Sequence, residues 1–216
     1  MEDTQILHSD EKVPIWAGHT AGGTHHAFYD RGEGFCIFSD IAVAANVILE
    51  QYPDVVQKVL ILDLDVHQGN GNARLFHNRD DVFTFSIHCE ENLFSAKEQS
   101  DLDIGLPAGC TDSTYTQTLK HWLNIFEKNQ DKYDVIFYQA GVDVLEDDRL
   151  GKMALTKEGV QKRNEMIFDF AIKTNKGFII TMGGGYPKHN WEPILDAHTN
   201  VYVGAYNFLK HALDRC

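Results

Sequence analysis

The sequence predicts a single α/β domain built around a largely parallel sheet. Three observations carry that expectation. A length of 216 residues suits one domain with a sizeable core. Short β-branched runs alternate with longer stretches of helical period, the rhythm of β-α-β units. Those runs are continuous apolar blocks rather than strict alternations, as expected of strands covered on both faces. No repeat, linker or low-complexity tract interrupts the pattern.

A polar tail (1–11) precedes the first strand candidate, KVPIW (12–16), and the domain is expected to run over 12–216. Residues 39–51 read as a helix, with a Ser-Asp cap and Ile41, Ala44, Ala45, Ile48 and Leu49 on one face. KVLILDLD (58–65) is the most convincing strand and DVFTFSIH (81–88) the next. A helix is expected over Asp112–Lys128, then a strand at DVIFYQAG (134–141). Residues 156–173 open with TKEG, a capping box without its ideal third residue, and continue as a helix. GFIITMGGG (177–185) is the last strand candidate. The tail over 191–213 reads as one or two helices, with strand propensity at NVYVGA (200–205).

Charge narrows the function classes. The 32 acidic and 19 basic residues give a net charge of −13. Such a surface repels phosphate backbones and anionic lipid, so neither sequence-independent nucleic-acid binding nor membrane attachment is expected, whereas a cationic substrate is compatible. The four cysteines, Cys36, Cys89, Cys110 and Cys216, are isolated from one another, which suits a reducing compartment. The first twelve residues are polar, and no apolar run approaches the roughly 18–20 residues of a membrane span. An intracellular domain is the expectation.

Parallel sheets gather ligands at the carboxyl ends of their strands, and that is where the unusual residues fall. His25 and His26 follow a glycine pair in AGGTHHAFYDRGEGFC (21–36). In LDLDVHQGNGN (62–72), alternation sends Asp63, Asp65 and His67 to one side, too polar a set to be core. A carboxylate and an imidazole two residues apart suit one metal ion at a strand terminus. Asp143, just past the strand in YQAGVDVLEDDRLG (138–151), is the natural third ligand, and Glu146, Asp147 and Asp148 read as a solvated acidic loop. TMGGGYP (181–187) delivers Tyr186 after three glycines that permit close backbone approach. An O, N, O ligand set with an open position is a hydrolytic zinc arrangement. The ion polarises a carbonyl and acidifies water, a histidine takes the proton, and the phenol donates to the oxyanion. The residues therefore predict metal-assisted hydrolysis of an amide or ester.

The strings GGTHHAF, EGFC, DLDVHQGNG, QAGVD with the following DRLG, and GGGY, in that order, resemble the histone deacetylase superfamily of zinc-dependent amidohydrolases, most closely its class IV branch and related bacterial and plant deacetylases. The resemblance covers nearly the whole chain from about residue 12. It implies a three-layer αβα fold of the arginase/deacetylase type and removal of acyl groups from lysine side chains of histones or other proteins, in the nucleus or cytoplasm. It puts Asp65, His67 and Asp143 at the zinc positions, with Fe2+ also compatible with that ligand set. It puts His25 and His26 at the tandem-histidine positions, with Asp63 partnering His25 and Asn70 at the position of the partner of His26. Tyr186 takes the carbonyl-polarising position. Gly34 and Phe35 line the acyl-lysine tunnel, Leu93 or Phe94 the opposite wall, and Gly184 also contacts substrate. The backbone carbonyls of Asp63, Asp65 and His67, with Ser86, match a structural K+ or Na+ site.

Departures from the family pattern are informative. Asn70 stands where many relatives have Asp, Gln68 where others have His, and Met182 replaces the first of four glycines. Only 21 residues precede Gly22, fewer than family domains carry, so the domain is expected to be N-terminally shortened. On that expectation KVPIW forms an open sheet edge, only partly blunted by Pro14, through which the chain self-associates or recruits a partner, and deacylase activity is weak. Two further readings stand beside the main one: a shortened isoform acting through partner binding, and an amidohydrolase of acetylpolyamines or other small molecules. A two-manganese ureohydrolase is a third, but DAHTN (196–200), which mimics its ligand string, falls in the helical tail and reads as coincidence.

Overall fold

The computed structural model describes residues 16–92 and 94–214, organised by six parallel strands. In chain order these are β1 (Trp16–His19), β2 (Val59–Asp63), β3 (Val82–Cys89), β4 (Leu102–Leu106), β5 (Val135–Gln139) and β6 (Gly177–Thr181), joined by helices α1 (Asp40–Gln51), α2 (Asn70–Leu75), α3 (Asp112–Lys128), α4 (Lys157–Thr174) and α5 (Glu192–Leu213). The sheet order is β1-β6-β5-β2-β3-β4, with every pairing parallel.

The strands are continuous apolar blocks because both faces are covered. Leu60 and Leu62 of β2 face a core shared with Leu119 of α3, Ile167 and Phe168 of α4 and Val201 of α5. Val59 and Ile61 face the other way, onto Ile41 and Ala45 of α1 and onto Phe76. The result is the expected three-layer αβα arrangement. The side-chain alternation of a strand alone sorts one apolar run into two cores.

Caps fix the helix starts. Ser39 accepts from Ala42 N at 3.1 Å and opens α1. Thr156 accepts from Gly159 N at 3.0 Å and opens α4, while its own N–H and hydroxyl bind Asp112 at 2.9 and 2.7 Å. That carboxylate ties the first turn of α3 to the start of α4. The periodicity of α3 buries Tyr115, Leu119, Leu123 and Phe126, and its bounds coincide with the expected ones.

Four points go beyond the expected elements. The edge strand is Trp16–His19, and apart from Trp16 KVPIW lies outside the described residues. NVYVGA is helical, inside a single 22-residue α5. Burial of Ile194, Ala197, His198, Val201 and Ala205 along one helical face overrides its β-branched propensity. β4 and α2 were not foreseen. β4 is a half-exposed strand broken in pattern by Asp103 and Gly105, and α2 is a single short helix that opens on the poor formers Asn70, Gly71 and Asn72. Tertiary contact sustains α2: Asn72 N donates to His25 O at 3.1 Å, and a Cβ on Gly71 would lie 2.4 Å from Ala27 O.

The chain order reverses between β2 and β5. From β2 the sheet grows through β3 to β4; the chain then crosses back to place β5 on the other side of β2. A switch point of this kind leaves a crevice at the strand ends, because the two connections leave in opposite directions. One fully buried guanidinium ties the segments that follow these strands. Arg163 Nη1 donates to Leu64 O at 3.1 Å and Gly141 O at 2.6 Å, and Nη2 to Ala140 O at 3.4 Å. Five fixed donors on a planar fork can serve several carbonyls at once, which an ammonium cannot.

Arg163→Met should lower the unfolding free energy by at least about 3 kcal/mol, since three buried carbonyls lose a donor at about 1–3 kcal/mol each. Urea denaturation measures it, and an unchanged midpoint would mean that Arg163 only fills space.

Candidate metal centre and cleft

The segments after β2 and β5 bring Asp65, His67 and Asp143 together. Each offers one ligand atom, and the three atoms lie within 4.8 Å of one another. Asp65 is 1% exposed, Asp143 0% and His67 8%. His67 Nδ1 faces the gap between the carboxylates, 3.1 Å from Asp65 Oδ1 and 3.2 Å from Asp143 Oδ2. Asn92 holds the other ring edge, with Nδ2 3.1 Å from His67 Nε2 and also donating to Leu150 O at 2.9 Å.

The electrostatics call for a cation. Among the described residues the ion-pair partners of Asp65 and Asp143 are histidines alone. Burial, then the charge of Asp65, pushes the Asp143 carboxyl above the usual range. Burial also opposes ionisation of Asp65, but the neighbouring His25 and His67 rings outweigh it and hold that carboxyl well below its usual value. At His67 burial disfavours charge, yet hydrogen bonds to Asp143 and Asp65 raise it to about 10. Two buried carboxylates and one imidazole nitrogen converging in this way fit a divalent cation of borderline softness.

Second contacts aim the ligands. Asp65 Oδ2 accepts from Gln139 Nε2 at 3.1 Å and Gly184 N at 2.9 Å, and its Oδ1 accepts from His67 N at 3.0 Å. Asp143 Oδ1 accepts from Val66 N at 2.9 Å. Glycine is required where backbone meets carboxylate: a Cβ on Gly141 would lie 2.2 Å from Asp65 Oδ2, and one on Gly184 2.2 Å from Asp143 Oδ2. Gly184 thus packs on the carboxylates themselves.

The tandem histidines stand beside this cluster, with ring centroids 3.9 Å apart. His25 Nδ1 is 2.7 Å from Asp63 Oδ2, its Nε2 is 3.8 Å from Asp65 Oδ1, and His26 Nδ1 is 2.7 Å from Asn70 Oδ1. The two environments differ. Burial opposes charge on His25, but Asp63 and Asp65 raise it to about 9; burial and then the charge of His25 lower His26 to about 2. Divergent values in one buried pair are a mark of acid–base sites. Their loop hangs on Asp40 of α1, which accepts from Gly23 N, Thr24 N and Thr24 Oγ1 at 2.9, 2.8 and 2.6 Å. In the sequence Asp40 is marked only as part of a Ser-Asp helix cap.

Aromatic rings frame the mouth. Phe94 stands edge-on to His26 and His67 at 4.6 and 5.4 Å. Gly34 lies against both His26 and Phe94, since a Cβ there would fall 2.4 Å from His26 Cδ2 and 2.7 Å from Phe94 Cζ. Phe35 is 83% exposed, has φ of 65°, and its ring centroid is 5.8 Å from that of Tyr186. Leu93 lies outside the described residues. Burial, then the Asp65 and Asp143 charges, pushes the half-buried Tyr186 hydroxyl up, so the phenol stays a neutral donor.

Asp148 corrects the reading of a solvated acidic loop. Glu146 and Asp147 are exposed, but Asp148 is 0% exposed and accepts from Tyr186 N at 2.5 Å and from Leu150 N and Gly151 N at 2.7 Å. It anchors the backbone that carries the phenol. Ser86 sits opposite Asp63 in the β2–β3 register, with Oγ 2.9 Å from His88 Nδ1. The DAHTN string lies on α5, where Asp196 pairs with Lys157 at 2.6 Å, away from the cluster.

Comparison with known proteins agrees with this architecture. The Histone deacetylase domain family matches residues 5–202. An uncharacterized protein of Picosynechococcus is 47% identical over 173 residues, covering 80% of this chain and 57% of its own length. Histone deacetylase 2 of Arabidopsis thaliana is 30% identical over 189 residues, covering 86% of this chain and 48% of its own length. The chain therefore spans about half the length of these relatives. The solved acetylpolyamine aminohydrolase from Burkholderia pseudomallei superposes with a TM-score of 0.71 at 25% identity, over 90% of this chain and 57% of that one. By domain match, by sequence and by fold, this chain belongs to the histone deacetylase family.

Proposed function

We propose that this chain is a metal-dependent deacylase that hydrolyses the side-chain amide of acylated lysine in histones or other proteins. The observation that carries the reading is the convergence of Asp65, His67 and Asp143 beside the paired rings of His25 and His26. Family membership supports a hydrolase of the deacetylase and amidohydrolase class.

Asp65, His67 and Asp143 would hold the cation, for which zinc is the choice and Fe2+ compatible. Such a cation supplies a Lewis acid for the amide carbonyl and acidifies a water molecule. The remaining work falls to this chain's side chains. With Nδ1 engaged by Asn70, His26 accepts the water proton at Nε2 and returns it to the departing lysine amine as the C–N bond breaks. His25, paired with Asp63, offers positive charge to the developing oxyanion. Tyr186 donates its hydroxyl hydrogen to the same oxygen. Gly34, Phe35 and Phe94 form the slot for the acyl-lysine stem, and Gly184 backs the carboxylates at its floor. A structural K+ or Na+ belongs with the carbonyls of Asp63, Asp65 and His67 and with Ser86.

A second reading takes an acetylpolyamine as substrate. It is favoured by the structural neighbour, an acetylpolyamine aminohydrolase, and by the net charge of −13, which attracts polycations. Rates on an acetyl-lysine peptide and on acetylated polyamines distinguish the two.

Purified chain should retain about one zinc and release acetate from an acetyl-lysine peptide. Asp143→Ala should lose both properties and Glu146→Ala neither; full zinc content in Asp143→Ala would show the third ligand misassigned. Tyr186→Phe keeps the ring and removes the donor, so kcat should fall about 10²–10³-fold with zinc content unchanged. Wild-type kcat in that variant would reduce the phenol to a packing role.

A further inference from the structure

Asn70 is itself held. Its Oδ1 accepts from His26 Nδ1 at 2.7 Å and from Gly71 N at 3.0 Å. Its Nδ2 donates to Glu33 Oε2 at 3.2 Å and to Ala96 O at 3.3 Å. Glu33 is fixed in turn, because Oε2 also accepts from Ser95 Oγ at 2.6 Å and Oε1 from Arg31 Nε at 3.0 Å. The Ser95 bond, with further bonds from Arg31 and Asn70, keeps this carboxyl below its usual value and hence ionised.

The chemistry of these contacts has one solution. An ionised carboxylate and a backbone carbonyl only accept, so the amide end facing Glu33 and Ala96 is the NH₂. The carbonyl end of Asn70 therefore faces His26 and also only accepts. His26 Nδ1 then carries the hydrogen, and Nε2 keeps its lone pair. Asp at position 70 would also accept from His26, but would set two carboxylates about 3 Å apart, and two ionised carboxylates at that range do not share a site.

We propose that Glu33 is a positioning residue for His26: by accepting from Asn70 it fixes the amide, and through the amide the tautomer of the ring, and it makes an amide rather than a carboxylate obligatory at position 70. Glu33 also opens the turn that carries Gly34 and Phe35, closed by Cys36 N donating to Glu33 O at 2.7 Å. One turn thus shapes the mouth and braces the base behind it. The importance of His26 to turnover rests on the function proposed above; the orientation of the ring does not.

A double-mutant cycle on the zinc-loaded chain tests this. Asn70→Asp should lower Tm by about 2–4 °C, the shift expected for ~1 kcal/mol in a domain of this size, and should lower kcat about tenfold with KM within about twofold, a coupling of the usual size for contacting residues. Adding Glu33→Gln should recover most of both losses. Nitrogen-15 correlation spectra should show wild-type His26 protonated at Nδ1. Losses that merely add in the double variant, a double variant that fails to fold, or a wild-type His26 protonated at Nε2 would each overturn the proposal. If no variant turns over substrate, the Tm coupling and the ring spectrum still decide it, and only the deacylase reading falls.

Discussion

Three carboxylates buried at one sheet end set the terms for the rest of this molecule. Asp63, Asp65 and Asp143 are 3%, 1% and 0% exposed, and the cost of desolvating one unpaired ion is several kcal/mol even after relaxation. A domain whose net stability is about 5–15 kcal/mol does not carry such a load unanswered. The answer here is built from backbone N–H groups, the Gln139 amide and two imidazoles. The hydrogen bonds from Val66 N, His67 N and Gly184 N each come from a segment that follows a strand. Function and fold are thus tied at the same atoms: the groups that make the carboxylates tolerable also aim them.

The topology explains why this happens between β2 and β5. Only at the reversal of strand order do two adjacent parallel strands release their chains in opposite directions, opening space at their ends. Keeping that space narrow requires the two chains to stay in register after the ladder stops. Leu64 N still bonds Gln139 O at 3.2 Å, and Arg163 spans Leu64, Ala140 and Gly141 from behind. An arginine in a core is expensive. Its cation is solvated by carbonyl dipoles rather than by a carboxylate, so it fixes the two segments without neutralising the acidic charge of the Asp65, His67 and Asp143 cluster.

Legibility in the sequence followed the range of the interactions. Strands β2 and β5 were readable because burial on both faces writes itself as an unbroken apolar run. The ends of these strands were readable because Asp65 and His67 are two residues apart and Asp143 follows a strand directly. The bounds of α3 came from its own periodicity. What escaped was held by distant partners. Arg163 meets Leu64 across 99 residues and Glu33 meets Asn70 across 37, and no local pattern marks either. Asp148 looked like one of three solvated acids because Glu146 and Asp147 flank it; its burial depends on Tyr186 N, 38 residues away. β4 and α2 were lost for a related reason. Asp103 and Gly105 dilute one, Asn and Gly the other, and each exists because a neighbour already in place satisfies its backbone.

Strain is distributed unevenly, and the distribution bears on how the site operates. Phe35 adopts φ of 65° without being glycine, a conformation that costs of order 1 kcal/mol or more and persists only where surroundings impose it. It sits at the exposed mouth. Among the described residues that adopt positive φ, none is a proposed cation ligand or a tandem histidine. The ligands lie in the bends and turns just past the fully buried strands β2 and β5, where the backbone N–H groups of Val66, His67 and Gly184 hold their carboxylates. The entrance, by contrast, is a strained turn carrying an exposed aromatic ring, with Gly34 packed against His26. Glu33 is where the two regimes meet, since the turn that strains Phe35 begins at the carboxylate that orders Asn70. A change in the entrance that displaces Glu33 therefore reaches His26 through two hydrogen bonds, while the carboxylates behind it stay fixed by the sheet.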